Sequence, residues 1–201
     1  MPINLLALLF AVCTSNLLAQ QVHPSCNKCS GTFIPSDEIR AYLNRALGEA
    51  AGQSGSVMDQ QVRAVDVGKS HVDIGVVYRG KTSGGIVAEH DLVSEVYHVI
   101  DGSGTLVLGW DVTDLKTRPA DDRAVRLLNG PGANGKTIRN GATYELKPGD
   151  VVVIPAGVGH QFTKIADHIS YLMVRIDPDK VTPLKDEAAS KADLAGGPPA
   201  R

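Results

Sequence analysis

The stretch PGDVVVIPAGVGHQF, residues 148–162, decides the fold prediction for this chain. A Pro-Gly pair at its start predicts a turn, since both residues favour the backbone angles that turns need. The apolar run Val151–Ile154 then predicts a fully buried strand. Pro155 and the glycines after it turn the chain again. His160 is therefore expected to re-enter the interior of a β-structure.

A second stretch, HDLVSEVYHVIDGSG at residues 90–104, places His90 and Glu95 at the end of one strand and the start of the next. Because strand side chains alternate between faces, both can point into the same barrel mouth. Further short alternating runs lie at residues 62–67, 72–78 and 104–108. Together with 21 glycines and 4% aromatic residues, these runs predict an all-β fold.

The segments around the strands have their own patterns. Ile39, Leu43 and Leu47 recur at helical spacing, which predicts one amphipathic helix from Ser36 to about Ala51, with Ser36 as its N-cap. Residues 178–201 predict a short helix or a frayed end.

Residues 111–140 predict a long loop between the two patterned halves, of a length that is usually functional or disordered. It could cover a pocket. Five of its basic side chains would suit an anionic ligand, although we prefer a solvated surface for them. These five are Arg118, Arg123, Arg126, Lys136 and Arg139.

The two quoted stretches resemble the two motifs of the cupin superfamily. The second motif, G-x5-P-x-G-x2-H-x3-N, is matched by Gly149, Pro155, Gly157 and His160, with Lys164 where Asn is expected. The first motif, G-x5-H-x-H-x3,4-E-x6-G, is matched by His90, Glu95 and Gly102. Ala88 stands in place of its first histidine, and its initial glycine has no counterpart. The resemblance covers residues 57–177 and implies a double-stranded β-helix, or jelly-roll barrel, that pairs as a homodimer.

Cupins typically bind one divalent metal ion through three histidines and one glutamate. The resemblance therefore implies a metal site of His90, Glu95 and His160. Two imidazoles and one carboxylate suit Fe(II) and equally Mn, Ni or Zn, and they leave coordination positions open. The alternative is a degenerate cupin without metal, but Glu95 would then be a costly buried carboxylate with no cation partner. Glu89 is not expected to help, because it faces away from His90.

Three further residues are candidates for lining the pocket. Tyr97 shares the face of Glu95, and Phe162 shares the face of His160. Both are equally consistent with ordinary barrel filling. Arg79 could reach a carboxylate on a ligand or lie on the surface. His98 is expected to pack, and no catalytic residue is identified beyond the ligand set.

The resemblance implies a metal-dependent enzyme that acts on a small polar molecule, with oxygenase chemistry preferred. A non-catalytic small-ligand-binding cupin is the alternative, and a cupin isomerase or lyase is the second alternative. The 20 Lys and Arg against 22 Asp and Glu give a net charge of -2. This balance provides no field to attract nucleic acid or an anionic membrane.

Residues 1–20 predict a cleaved secretory signal, because the apolar run at 5–12 is too short to span a bilayer and Ala19 offers a cleavage site. We expect a periplasmic or secreted protein that leaves the membrane after cleavage. Cys26 and Cys29 would then form a disulfide, with a redox-active pair as the alternative. The predicted organisation is a signal at 1–20, an extension with the helix at 21–56, the barrel at 57–177 and a tail at 178–201.

Overall fold

A computed structural model describes residues 24–196, except residues 27, 28, 52, 54 and 83. The predicted signal segment at residues 1–20 lies outside the described residues. The described helices are α1 (Ser36–Ala50) and α2 (Glu187–Leu194). The described strands are β1 (Val57–Asp66), β2 (His71–Thr82), β3 (Val87–His90), β4 (Ser94–Gly102), β5 (Gly104–Gly109), β6 (Asp111–Val112), β7 (Lys116–Thr117), β8 (Gly132–Gly135), β9 (Ile138–Arg139), β10 (Ala142–Leu146), β11 (Val151–Ile154) and β12 (Gly159–Asp177).

The long strand β12 joins the two halves of a barrel. Its first part pairs with β3 and β5, and its second part pairs with β2 and β4. Two register shifts, at residues 162–164 and 165–168, lie where the strand passes from one half to the other, and such bulges bend a strand. All of these pairings are antiparallel. The predicted all-β, double-stranded β-helix with one N-terminal helix is confirmed.

The core lies between the two halves of the barrel. It consists of buried apolar side chains from both halves: Val77, Tyr97, Val99, Leu106, Leu146, Ile154, Phe162, Ile165, Ile169, Tyr171 and Met173. Burying an apolar side chain of this size contributes roughly 1.5–3 kcal/mol. Two residues of this packed core, Tyr97 and Tyr171, also line the cavity that holds the candidate site.

The strand Val151–Ile154 is not fully buried, so that prediction is wrong. Ile154 is buried, but Val151 is 61% exposed and Val153 is 62% exposed. The reason is that β11 pairs with β4 at the edge of its half, and only its inner face is covered. His98 lies opposite Val151 on the same outer face and is exposed, so its predicted packing role is also wrong.

Helix α1 covers the outer face of β1 and β2, where Tyr42 packs against Val62 and Val76. Pro35 occupies the N-cap position with φ −64° and ψ 146°, so the prediction of Ser36 as N-cap is wrong. A proline at this position already has the extended conformation that a helix start needs. The tail forms a short helix, α2, whose Asp186 side chain accepts a hydrogen bond from the Ala189 amide at 2.8 Å.

The segment 111–140 contains β6 to β9 and a π-helical turn, Val125–Asn129. It covers one end of the barrel. The preferred solvated-surface interpretation is correct for its other basic residues, which are exposed, but wrong for Arg118, which is buried.

In the N-terminal extension, Cys26 and Cys29 are disulfide-bonded, with their Cα atoms 5.7 Å apart. Among the described residues, no helix is long and apolar enough to cross a membrane.

Candidate metal centre

Three donor groups meet at one mouth of the barrel. His90 ends β3, Glu95 is the second residue of β4, and His160 is the second residue of β12. His90 Nε2 lies 3.4 Å from Glu95 Oε1, and His160 Nε2 lies 3.6 Å from Glu95 Oε2. The potential ligand atoms all lie within 4.8 Å of one another, and all three side chains are buried. The structure thus brings together the three residues that the sequence predicts as ligands.

The electrostatics of the cluster keep two of these groups ready to bind a cation. Burial alone would raise the pKa of Glu95, but His90, His160 and Arg175 outweigh it and hold that pKa well below its usual value. Burial lowers the pKa of His160 to about 4, against the opposing effect of Glu95. At neutral pH the site therefore presents a carboxylate and a neutral imidazole.

Hydrogen bonds orient two of the ligands. The His160 Nδ1–H donates to the Val158 carbonyl at 3.3 Å, which leaves the Nε2 lone pair towards Glu95. The Tyr97 hydroxyl donates to Glu95 Oε2 at 2.7 Å. Burial raises the pKa of Tyr97 well above its usual value, so this donor keeps its proton. Such outer contacts fix the geometry of metal ligands.

Three polar residues that the motifs do not contain also reach the cluster. Arg175, fully buried on β12, pairs in register with Glu95, and its Nε lies 3.5 Å from Glu95 Oε1. The Asn129 Nδ2 donates to the same oxygen at 2.7 Å. Arg118 Nη1 lies 3.3 Å from His90 Nδ1. The sequence expectation that Glu95 lacks any cation partner is wrong, because Arg175 is beside it.

A cavity of about 260 Å³ opens over the cluster. Tyr97 and Arg79 line it, as the sequence suggests, and so does Ala88, which replaces the first histidine of the motif. Phe162 packs in the barrel core and lines a neighbouring cavity of about 440 Å³. Two contacts hold Phe162 in the core: its ring stacks on that of Tyr171 at an interplanar angle of 23°, and the guanidinium of Arg79 lies over the ring, 5.1 Å from the ring centroid.

Another cavity of about 440 Å³ lies between α1, β1 and α2. Three of its charged residues pair with each other: Arg45 Nη1 lies 3.0 Å from Asp193 Oδ1, and Lys185 also contacts Asp193. Among the described residues, the cluster of His90, Glu95 and His160 is the one with metal-binding geometry. We therefore place the candidate site in the smaller cavity.

Comparisons with known proteins find one family model and several solved structures to which parts of the chain are similar. Residues 135–196 match the family model of the AraC-like ligand binding domain, a span that contains His160 but not His90 or Glu95. None of the curated proteins compared with the chain matches it.

Several solved structures are similar to the chain. The EutQ protein of Clostridium difficile is 17% identical over 61% of this chain and 69% of its own, with a TM-score of 0.36. An RmlC-like cupin family protein with a double-stranded β-helix fold, from Methanocaldococcus jannaschii, is 13% identical over 65% of this chain and 89% of its own, with a TM-score of 0.39. The DMSP lyase DddQ from Ruegeria pomeroyi DSS-3 is 16% identical over 63% of this chain, with a TM-score of 0.38, and the match spans 49% of the DddQ chain. At these sequence identities and TM-scores, the similarity to the three structures carries no information on the activity of this chain.

Proposed function

We propose that this chain, a single-domain protein of the cupin superfamily, binds one divalent metal ion through His90, Glu95 and His160 and acts there on a small anionic molecule. The observation that carries the proposal is the convergence of two imidazole nitrogens and a carboxylate on one buried cavity. This donor set fits Fe(II), and equally Mn, Ni or Zn. A cavity of about 260 Å³ limits the substrate to a small molecule.

Arg79 supports an anionic substrate. Its Nε donates to the Tyr171 hydroxyl at 2.9 Å, and its Cζ lies 5.1 Å from the centroid of the Phe162 ring. Among the described residues, its two Nη groups have no hydrogen-bond partner, and Arg79 lines both the cavity over the cluster and the neighbouring one. A planar guanidinium with two available Nη groups is suited to a carboxylate. We therefore assign Arg79 the role of binding the anionic group of the substrate.

For the reaction we prefer oxygenase chemistry, with isomerase or lyase chemistry as the alternative. A divalent ion held by the three ligands supplies a Lewis acid with open coordination positions. Isomerase and lyase reactions also need a protein acid or base. Of the other carboxylates on the wall, Asp122 accepts the Ala124 amide at 2.7 Å, and Asp59 pairs with Arg175 through Oδ2. The buried Oδ1 of Asp59 has no hydrogen-bond partner among the described residues, so Asp59 is the candidate acid or base for the alternative chemistry. Tyr97 and Arg79 then orient the ligand set and the substrate.

A second candidate is a non-catalytic module that binds a small anion without metal. The specific observation in its favour is that Glu95 already has protein partners: Tyr97, Asn129 and Arg175 contact its two oxygens. A buried carboxylate with such partners does not need a metal ion to be stable. The two candidates differ in whether ligand binding depends on metal.

The test is oxygen consumption by metal-loaded protein in the presence of a panel of small carboxylates, with the reaction products followed by NMR. We expect uptake that requires both metal and carboxylate and that is lost in His160→Ala. Product formation without oxygen uptake would instead favour an isomerase or lyase. Equal carboxylate binding by metal-free and metal-loaded protein, without turnover, would contradict the enzyme and favour the binding module.

A further inference from the structure

Ala88 leaves one ligand position of the barrel without a donor. It stands where the motif has its first histidine, and in the sheet it lies opposite His160 on one side and Asn134 on the other. A methyl group offers no lone pair to a cation. Another polar side chain, Asn129, enters the same cavity from the lid segment 111–140 and is buried to 4% exposure.

The side-chain amide of Asn129 lies within hydrogen-bond distance of potential ligand atoms on two of the three predicted ligands. Its Nδ2 position lies 3.2 Å from His90 Nε2 and 2.7 Å from Glu95 Oε1, and these two atoms are 3.4 Å apart. Three polar atoms from three different segments thus form a triangle. Ligand atoms at right angles around an ion, each about 2.1 Å from it, lie about 3 Å from one another. The triangle has the size of one face of such a coordination sphere.

The Asn129 amide fits this triangle as a donor when no ion is present. With the His90 proton on Nδ1, the two hydrogens of the Asn129 NH2 reach His90 Nε2 and Glu95 Oε1. The one contact between two donors is then that of Arg118 Nη1 with His90 Nδ1, at 3.3 Å and outside the triangle. Rotating the Asn129 amide by 180° would place Oδ1 in the triangle instead, 2.7 Å from the carboxylate of Glu95. That orientation is repulsive unless a cation lies between the two oxygens.

With a cation present, the rotated amide becomes the favourable one. The Asn129 Oδ1, the Glu95 Oε1 and the His90 Nε2 lone pair then converge on the same charge. His90 would carry its proton on Nδ1, towards Arg118. This contact is the easiest to give up, because Arg118 also donates to Asn134 Oδ1 at 3.0 Å and to the Ala133 carbonyl at 2.9 Å.

The backbone holds Asn129 in this place. It ends the π-helical turn Val125–Asn129, a type of turn that is often found at functional sites. Gly130 follows with φ 63°, and a Cβ built there would lie 2.3 Å from Val181 Cγ2. The chain therefore leaves the turn along a path that only glycine permits.

From these observations we infer that Asn129 is a fourth ligand of the metal ion and binds it through Oδ1, in place of the histidine that Ala88 replaces. The inference rests on the proposed function. It makes the ligand set two histidines, one glutamate and one asparagine. The fourth ligand comes from the lid rather than from a barrel strand.

The test is Co²⁺ affinity, measured by chelator competition on the full chain. We expect Asn129→Ala to weaken Co²⁺ binding at least about tenfold, since the loss of a residue that only orients a ligand already costs about that much. Asn134→Ala removes another asparagine from the same cavity wall and should bind within about threefold of wild type. Adding Ala88→His to Asn129→Ala returns a donor to the barrel strand, and we expect it to restore the affinity.

A crystal structure of the Co²⁺-loaded protein separates a ligand from a residue that only shapes the lid. We expect Asn129 Oδ1 at about 2.0–2.3 Å from the ion. Wild-type Co²⁺ affinity in Asn129→Ala, or an Oδ1 farther than about 3 Å from the bound ion, would overturn the inference and leave the three-ligand site standing. Wild-type protein that binds no Co²⁺ would instead refute the proposed function itself.

Discussion

Glu95 is the residue on which the site depends. Side chains from β3, β4, β12 and the lid segment reach its two oxygens, and one of them, Arg175, is itself fully buried. A buried charge is tolerated only with such partners. The same partners fix the direction of its lone pairs, so the carboxylate is oriented before any ion arrives.

Arg79 allows substrate binding to be separated from metal binding. The change Arg79→Leu keeps apolar contact with Phe162 and removes the guanidinium. We expect the affinity of metal-loaded protein for a small carboxylate to fall about 10- to 100-fold, since a hydrogen bond to a charged group contributes roughly 1.5–3 kcal/mol. Metal content should not change. Calorimetric titration measures the effect, with the exposed Arg126→Leu as control, and equal carboxylate affinity in all three proteins would contradict the role of Arg79.

Asp73, which is not one of the metal ligands, gives a pH dependence of the stability. Burial raises its pKa from 3.8 to about 6, against the opposing effects of Thr182 and Arg175. As pH rises from about 4 to about 6, the unfolded chain loses this proton before the folded chain does, so the free energy of unfolding falls. Asp73→Asn should lack this part of the decline. Urea denaturation at several pH values compares the two proteins, and parallel pH curves would contradict the assignment.

At the scale of secondary-structure elements, β12 and the lid segment show what could be predicted from the sequence. The resemblance of two stretches to the cupin motifs predicts the convergence of His90, Glu95 and His160. Arg175 could not be placed by strand alternation, because the pairings of β12 contain three register shifts between His160 and Arg175. Asn129 could not be placed at all, since its position depends on the tertiary path of a long segment without hydrophobic periodicity.

The path of the lid can be tested with two glycines. Gly130 and Gly149 both have positive φ, 63° and 90°, but an added Cβ meets Val181 only at Gly130. We expect Gly130→Ala to lower the free energy of unfolding by more than the roughly 1 kcal/mol expected for Gly149→Ala. Gly130→Ala should also weaken Co²⁺ binding, because it displaces Asn129. Unchanged Co²⁺ affinity in Gly130→Ala would contradict this coupling between the turn and the site.

At the scale of the whole molecule, the two outer faces of the barrel differ. Helix α1 covers β1 and β2, whereas the outer face of β4 and β11 presents Ile100, Val151 and Val153, all partly or largely exposed. Apolar patches of this kind often mark contacts between proteins. The homodimer implied by the family resemblance stays a prediction, as does export, whose signal lies outside the described residues.

We propose that the dimer contact includes the exposed outer face of β4 and its edge strand β11. Val153→Glu introduces a charge into its centre, and we expect it to convert a homodimer into a monomer because an unpaired charge is costly to bury. Val67→Glu, at an exposed apolar position in the turn after β1, is the matched control and should remain dimeric. Light scattering during size-exclusion chromatography distinguishes the states. A monomeric wild type, or a dimeric Val153→Glu, would contradict the prediction.

The most direct test of the account is the metal content of the protein purified without metal-affinity steps, measured by elemental mass spectrometry beside His160→Ala. His160 is buried and its Nε2 faces Glu95, so the variant removes one ligand without adding a charge. We predict close to one equivalent of Fe, Mn, Ni or Zn in the wild type and loss of that metal in the variant. A wild type that contains no metal, even after reconstitution with each of these ions, would contradict the metal site and favour a cupin that binds its ligand without metal.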